Sequence, residues 1–339
     1  MTSNFHHAQS AHCESGVTRN LLQNIGVKQI TEPLVFGMGA GLFFIYIPLL
    51  KISGGPALAF RSVPGIIFKG TCHSLGIKII RKKFSSKEKA KEELDKKLSE
   101  GMAIGCQVGV YYLPYFPKEY RFHFNAHNIV VFGKEDGKYL VSDPIMEYPT
   151  YMTEYELERV RFAKGALAPR GQIYHTLATA PITEERIKRA IIKGIKLNVF
   201  HMLKIPGAFA GVNGIAFLGK RIKNWRDKLG SEKAGLYLAQ VVRMQEEIGT
   251  GGGGFRYMYG AFLQEAYNYF QHDELMKLSE EFTKAGDLWR TAAVQASGIY
   301  KGRLGTQEDY NIMGDYLAEI SLIEKRAFTK LAAVNKQLK

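Results

Sequence analysis

Apolar positions in this chain follow helical spacing in some stretches and strand-like runs in others, and the balance shifts once, near residue 181. In HCESGVTRNLL (12–22) small and polar residues open the run. Leu21, Leu22 and Ile25 then recur at roughly helical spacing before Gly26, which predicts a helix beginning at Cys13. Gly37, Gly39 and Gly41 break any long helix after it, and the apolar segments around 42–50 and 66–68 read as buried strands or short packed pieces. Ser85 and Ser86 start a second helix, SKEKAKEELDKKLS. Ala90, Leu94 and Leu98 form its inner stripe, Glu92/Lys96 and Glu93/Lys97 pair at i, i+4, and Gly101 ends it.

A strand follows in AIGCQVGVYYLPY, closed by Pro114. Next comes a hairpin: HNIVVFG, the turn KEDG, and KYLVSDP. Thr153 and Glu156 form a capping box for TEYELERVRFA, and GQIYHTLA reads as the last strand. Beyond it the pattern turns helical. Thr183 caps a helix with Glu184 and Glu185 in its first turn, and nearly everything after reads as helix, with Gly249–Phe255 connecting two of them. The switch near Ala180–Thr183 predicts a mixed first domain, 1–181, and an all-α second domain, 182–339.

Composition adds three constraints. At 339 residues, 46% hydrophobic and 23% charged, the chain is long enough for two domains with substantial cores and is not disordered. Its three cysteines, Cys13, Cys72 and Cys106, make neither a disulfide scaffold nor a C-x-x-C metal site. That suits a reducing, cytoplasmic compartment, and no secretory signal is visible. The uncharged stretch Pro33–Leu50 just reaches spanning length, but its glycines, its prolines and the lack of flanking basic clusters favour a buried loop and strand. The net charge of +14 is concentrated. Residues 69–99 hold ten Lys/Arg against four acids, and residues 182–233 hold twelve against four. Such stretches are either solvated helix faces or a steering field for an anionic partner: an acidic protein, a membrane surface or nucleic acid.

The candidate chemistry starts at Cys13. A thiol at a helix N-terminus meets the positive end of the helix dipole, which favours the thiolate. The hairpin offers partners: with the turn centred near Glu135, His127 and Asp143 fall directly opposite one another. Asp143 could then accept from one imidazole nitrogen and leave the other facing the thiol. The alternative is a His–Asp pair that merely caps a hairpin. Other residues carry weaker signals. His12 adjoins Cys13 and points away from it. His123 and His127 stand at i, i+4, but at a strand onset, so no metal site is expected. Cys72–His73 has no downstream acid in register, and Cys106 reads as core. GTGGGGF lacks the Lys-Ser/Thr of a phosphate-binding loop and reads as a helix connection, although Arg256 after it could meet a phosphate or carboxylate.

The run HCESGVTRNLL, then ITEPLVFGMGAGLFF, YYLPY and AHNIVVFG…YLVSDP, in that order, resembles the N-terminal domain of BtrH-type acyltransferases of butirosin biosynthesis. That domain is similar to papain-like cysteine peptidases that cleave bacteriocin leaders. The second half, with GGGGFRYMYGAFLQEA, resembles the helical domain that commonly follows it. The resemblance implies an α+β fold with a papain-like first domain, and Cys13, His127 and Asp143 as nucleophile, base and orienting acid. It implies acyl or aminoacyl transfer from a carrier-protein or CoA thioester to a small-molecule amine or hydroxyl, with no cofactor and no metal. Nucleic acid is then not the expected partner, while peripheral membrane contact stays open. Lys188, Arg189 and Lys193 become candidate contacts for an acidic carrier. Papain-like peptidases place a glutamine six residues before the cysteine to stabilise the oxyanion; here His7 holds that position and Gln9 is the nearest glutamine, so these two are the candidate donors. A peptidase or amidase using the same triad, and a binding protein with a vestigial triad, are the competing expectations.

Overall fold

The computed structural model describes residues 5–52, 54–177 and 181–338. In chain order its elements are α1 (Cys13–Asn24), α2 (Glu32–Met38), β1 (Leu42–Ile52), β2 (Gly55–Arg61), α3 (Ile66–Ser74), β3 (Ile79–Lys82), α4 (Lys87–Ser99) and β4 (Ile104–Val108). Then come β5 (His127–Glu135), β6 (Lys138–Ser142), β7 (Thr150–Met152), α5 (Glu154–Arg161) and β8 (Ile173–Thr176). Helices make up the rest: α6 (Glu184–Leu203), α7 (Gly211–Ile222), α8 (Trp225–Leu229), α9 (Ser231–Val242), α10 (Arg256–Phe270), α11 (Glu274–Tyr300) and α12 (Gln307–Val334). Two compact units result. One is Met1–Val35 with Ile67–Thr183; the other is Phe36–Ile66 with Glu184–Lys339. Segment 36–66, expected to belong with the first domain, thus groups with the helices. Of the expected boundary, Ala180 lies outside the described residues.

The first unit is an antiparallel six-stranded sheet in the order β3-β8-β4-β5-β6-β7. Side chains alternate between the two faces of a strand. Cys106 and Val108 of β4 join Ile129 and Val131 of β5 in a core completed by Ala90 and Leu94 of α4 and Leu157 and Val160 of α5. Ser86 caps α4, and the Thr153/Glu156 capping box starts α5 with both reciprocal bonds in place. Helix α1 packs against β4, β5 and β8 through its own buried stripe, which includes Val17, Leu21 and Leu22.

Several elements depart from the sequence reading. The long strand expected over 103–115 ends at Val108, because Val110–Tyr112 turn into a short 3-10 segment before Pro114. Residues 66–68 open the helix α3 rather than a strand. The short strands β3 and β7 carry no sequence signal; at three or four residues they are too brief to show a period. The stretch 33–50 is a short helix followed by β1, whose far end carries an exposed Leu49. No helix among the described residues is long and apolar enough to cross a membrane.

In the second unit the described residues from Glu184 onward form no strand, and the β1–β2 hairpin is its sheet component. Phe44 and Phe60 of the hairpin pack against Trp289 of α11, with ring centroids 5.9 and 5.1 Å away. A fully buried ion pair lies beside them. Arg256 donates from Nε and Nη2 to the two carboxylate oxygens of Glu324, both at 2.8 Å, and from Nη1 to the Gly254 carbonyl at 2.7 Å. Trp289 Nε1 adds a donation to Glu324 at 3.0 Å. Removing one partner of such a pair strands the other charge in the core. Glu324→Ala should therefore lower the stability of this unit by about 3–5 kcal/mol, measured as a fall in the urea midpoint; a loss within the error of the unfolding curve would show that the pair contributes no such constraint.

Candidate functional site

Cys13 is the first residue of α1, and the helix is capped by the side chain before it. His12 Nδ1 accepts from the Ser15 backbone N–H at 3.3 Å and lies 2.8 Å from the Ser15 hydroxyl. His12 is thus committed to the cap. Cys13 is buried with its sulfur at the positive end of the helix dipole, where negative charge is favoured.

His127 opens β5 and Asp143 follows the last residue of β6, and they meet: His127 Nε2 lies 2.7 Å from Asp143 Oδ2, both side chains buried. They do not stand directly opposite, as a turn centred on Glu135 would place them. The tight turn is Asp136–Gly137, both residues at positive φ, so Glu135 pairs with Lys138, and an irregularity between Val131 and Gly133 moves the register once more. Val130 pairs with Ser142, so His127 reaches Asp143 diagonally, from the strand onset.

Asp143 is fully buried and receives two further donors. The Tyr115 hydroxyl donates to Oδ2 at 2.9 Å and the Ile145 N–H to Oδ1 at 3.1 Å. Burial pushes the Tyr115 phenol well up, and the carboxylate beside it adds to the shift, so it stays a donor. For His127, burial pulls the imidazole down, but the Asp143 carboxylate and the Cys13 sulfur outweigh it and hold it up at about 10. With Nε2 taken by the carboxylate, Nδ1 is the nitrogen that meets the sulfur. The sequence thus identified three residues that the fold brings together as a buried chain from sulfur to imidazole to carboxylate.

The two oxyanion candidates point elsewhere. His7 sets Nδ1 against the Ser142 hydroxyl at 2.7 Å and Nε2 against the Met146 and Glu147 carbonyls at 3.1 and 3.2 Å. Gln9 donates to the Ile145 carbonyl at 3.3 Å, and the Ser10 N–H to the Pro144 carbonyl at 2.7 Å. Residues 7–10 are therefore a strap along the loop that carries Asp143. Gly16 allows the close approach: a Cβ there would lie 2.6 Å from that of Pro144.

Arg256, a candidate ligand contact, is instead sealed in the second unit with every donating nitrogen engaged. The glycine run before it is a connection at positive φ, and it turns one of its amides on the protein's own anion: the Gly253 N–H donates to the Glu246 carboxylate at 3.1 Å. Lys188, Arg189 and Lys193 lie on α6. Arg189 is exposed, and Lys188 pairs with Glu184 at 2.9 Å. Cys72 and Cys106 are buried, and burial pushes both thiols up, away from reactivity. His123 stacks on Tyr111, and no group of metal-ligating side chains occurs among the described residues.

Two more side chains at the sulfur were missed. Asn128 approaches Cys13 Sγ, and Tyr174 holds Asn128. Asn128 follows His127 in AHNIVVFG, where no spacing marks it; Tyr174 comes from the other side of the sheet order and has no local signal.

A cysteine at the head of a helix, served by a histidine and an acid from an antiparallel sheet, is the geometry that cysteine nucleophile chemistry requires, and the first unit has it. Residues 12–144 match the family described as butirosin biosynthesis protein H, N-terminal, and residues 155–331 match a domain of unknown function, DUF4872. The DUF4872 match alone spans more than half of the chain: this protein belongs to that family and carries the BtrH-type domain ahead of it. Among solved structures, a Bacillus anthracis protein described as a C39-like peptidase superposes on 53% of this chain and 98% of its own, at 13% identity and a TM-score of 0.36. No curated protein matches.

A folded value near 10 against about 6.5 for a free imidazole means that the fold favours the protonated ring. The stability contributed by this group is complete below about pH 6.5 and is lost as pH rises through about 10. The His127 ring nitrogens should show imidazolium NMR shifts throughout pH 6–8.5, and Asp143→Asn should bring the midpoint down; a wild-type ring that titrates near 6.5 contradicts the ion pair.

Proposed function

We propose that this protein is a cysteine-dependent acyltransferase that takes an acyl or aminoacyl group from a carrier-protein or CoA thioester and passes it to a small-molecule amine or hydroxyl. The observation that carries the reading is the buried Cys13–His127–Asp143 chain within a BtrH-type domain. The Cys13 thiolate attacks the donor carbonyl, the C=O pair moves onto oxygen, and collapse expels the donor thiolate, which takes the proton from His127. The acyl group is then a thioester on Cys13. In the second half-reaction the acceptor loses its proton to His127 as it attacks that thioester, and Cys13 leaves as thiolate. Asp143 keeps the ring oriented and balances its charge in both steps. Exchange of one thioester for another is nearly isoenergetic, so the first step needs no cofactor.

The charge pattern supports an acidic donor. The chain carries +14, with residues 182–233 strongly basic and Arg189 presented to solvent on α6. Free cysteines without disulfides accord with a cytoplasmic setting.

Incubation with an acyl-loaded carrier protein should add the mass of the acyl group to the wild type, labile to hydroxylamine, and not to Cys13→Ala. Free acid released without any acceptor would instead mark a peptidase- or amidase-like hydrolase, and a wild type that never acquires the adduct from carrier or CoA would sink the proposal. Reversing the charge of Lys188, Arg189 and Lys193 together should slow loading from the carrier while leaving loading from a small thioester unchanged; equal rates from the carrier would remove the α6 contact from the scheme.

A further inference from the structure

His127 approaches the Cys13 sulfur from one side. From another, Asn128 Nδ2 lies 3.8 Å from Sγ and 3.0 Å from the Ala126 carbonyl oxygen, while its Oδ1 accepts from the Tyr174 hydroxyl at 2.8 Å. These contacts fix which end of the carboxamide is which. A backbone carbonyl can only accept, so the atom facing Ala126 must be the nitrogen. One of its hydrogens goes to that carbonyl, and the second is directed at the sulfur. Tyr174 completes the line. Its phenol is pushed well up by burial, with negative charge at Glu14 and Cys13 adding to the effect, so it keeps its proton and donates. Packing holds it there: its ring lies 4.7 Å from that of Phe68 and covers Gly105 of β4, where a Cβ would meet it at 2.3 Å.

We propose that Asn128 is a catalytic residue that holds the charge of the Cys13 thiolate through its Nδ2–H, and that Tyr174 is the positioning residue that aims its carboxamide. The inference rests on the reading of Cys13 as the nucleophile, and it supplies the amide donor that His7 and Gln9 do not. A neutral donor suits the place. It stabilises the anion without competing for the proton that passes between Cys13 and His127, and a buried donor without a charged acceptor would gain less from the same bond. Ala126 accepts one of the two Nδ2 hydrogens and Tyr174 donates to Oδ1, so the second Nδ2 hydrogen is left for the sulfur.

The test is the pH profile of iodoacetamide alkylation of the full chain from pH 5 to 10, read by intact mass; Cys13 reports, since Cys72 and Cys106 are fully buried. Asn128→Asp keeps the shape and the Tyr174 bond but loses the donor and adds a negative charge. It should slow alkylation at pH 7 by roughly tenfold or more and move the inflection upward by about one pH unit. Asn128→Ala should move it in the same direction by less, and Tyr174→Phe by less again. Wild-type profiles for Asn128→Asp and Asn128→Ala, whatever their melting temperatures, overturn the proposal. Should neither fold, an unmoved profile in Tyr174→Phe overturns it. The outcome is separable from that of acyl loading: shifted profiles in a protein that never takes up an acyl group support Asn128 and refute the transferase, whereas an acyl adduct with unmoved profiles refutes Asn128 alone.

Discussion

A carboxylate with no access to water sets the terms for the first unit. An unpaired buried carboxylate would cost several kcal/mol, so Asp143 is tolerable only with donors around it. It has three, each from a different part of the chain: the His127 ring at the start of β5, the Tyr115 hydroxyl beyond β4, and the Ile145 N–H of its own loop. Meeting that demand fixes the loop after β6, and the strap of residues 7–10 fastens it from outside. Once the loop is fixed, the imidazole has one orientation. Nε2 is bound to the acid and Nδ1 faces the sulfur at the head of α1.

The second unit treats buried charge differently. Glu324 is as deeply buried as Asp143, but its partner is a guanidinium, with Trp289 donating to one of its oxygens. Glu246 is held in the same spirit by a glycine-loop amide. In both places charge meets charge or dipole within the fold, and no nucleophile stands at the end of the chain of bonds. Around Asp143 the chain ends on a polarisable sulfur. That difference, rather than the presence of ionisable groups, separates a site from a core constraint.

How much of this was legible in the sequence depended on how local each signal was. The Cys13 helix, the α4 stripe and the Thr153 capping box were readable because cap, period and stop lie within a few residues of one another. The hairpin was readable too, but its register was not. That depended on whether Glu135 or Asp136–Gly137 made the turn and on an irregularity near Phe132 that no pattern announces. The His127–Asp143 meeting survived because a long side chain at a strand onset tolerates a diagonal partner. Arg256 was misjudged for the opposite reason. Nothing near the glycine run shows that the carboxylate Arg256 meets belongs to the chain itself, 68 residues away on another helix.

The hydrogen bonds to the sulfur show the limit of transferring a site by chain offset. Counting back from the cysteine leads to His7 and Gln9, whose polar atoms serve the Asp143 loop instead. The amide that does reach Sγ comes from β5, one residue after the histidine. Adjacent residues on a strand point to opposite faces, so His127 and Asn128 can both reach one atom only where a helix end meets the strand's first residues. The helix–sheet junction therefore has two consequences at once: it puts the thiol at the positive end of a dipole, and it lets an imidazole and an amide donor arrive from successive positions. The sequence His-Asn at the onset of a buried strand acquires its meaning from that junction.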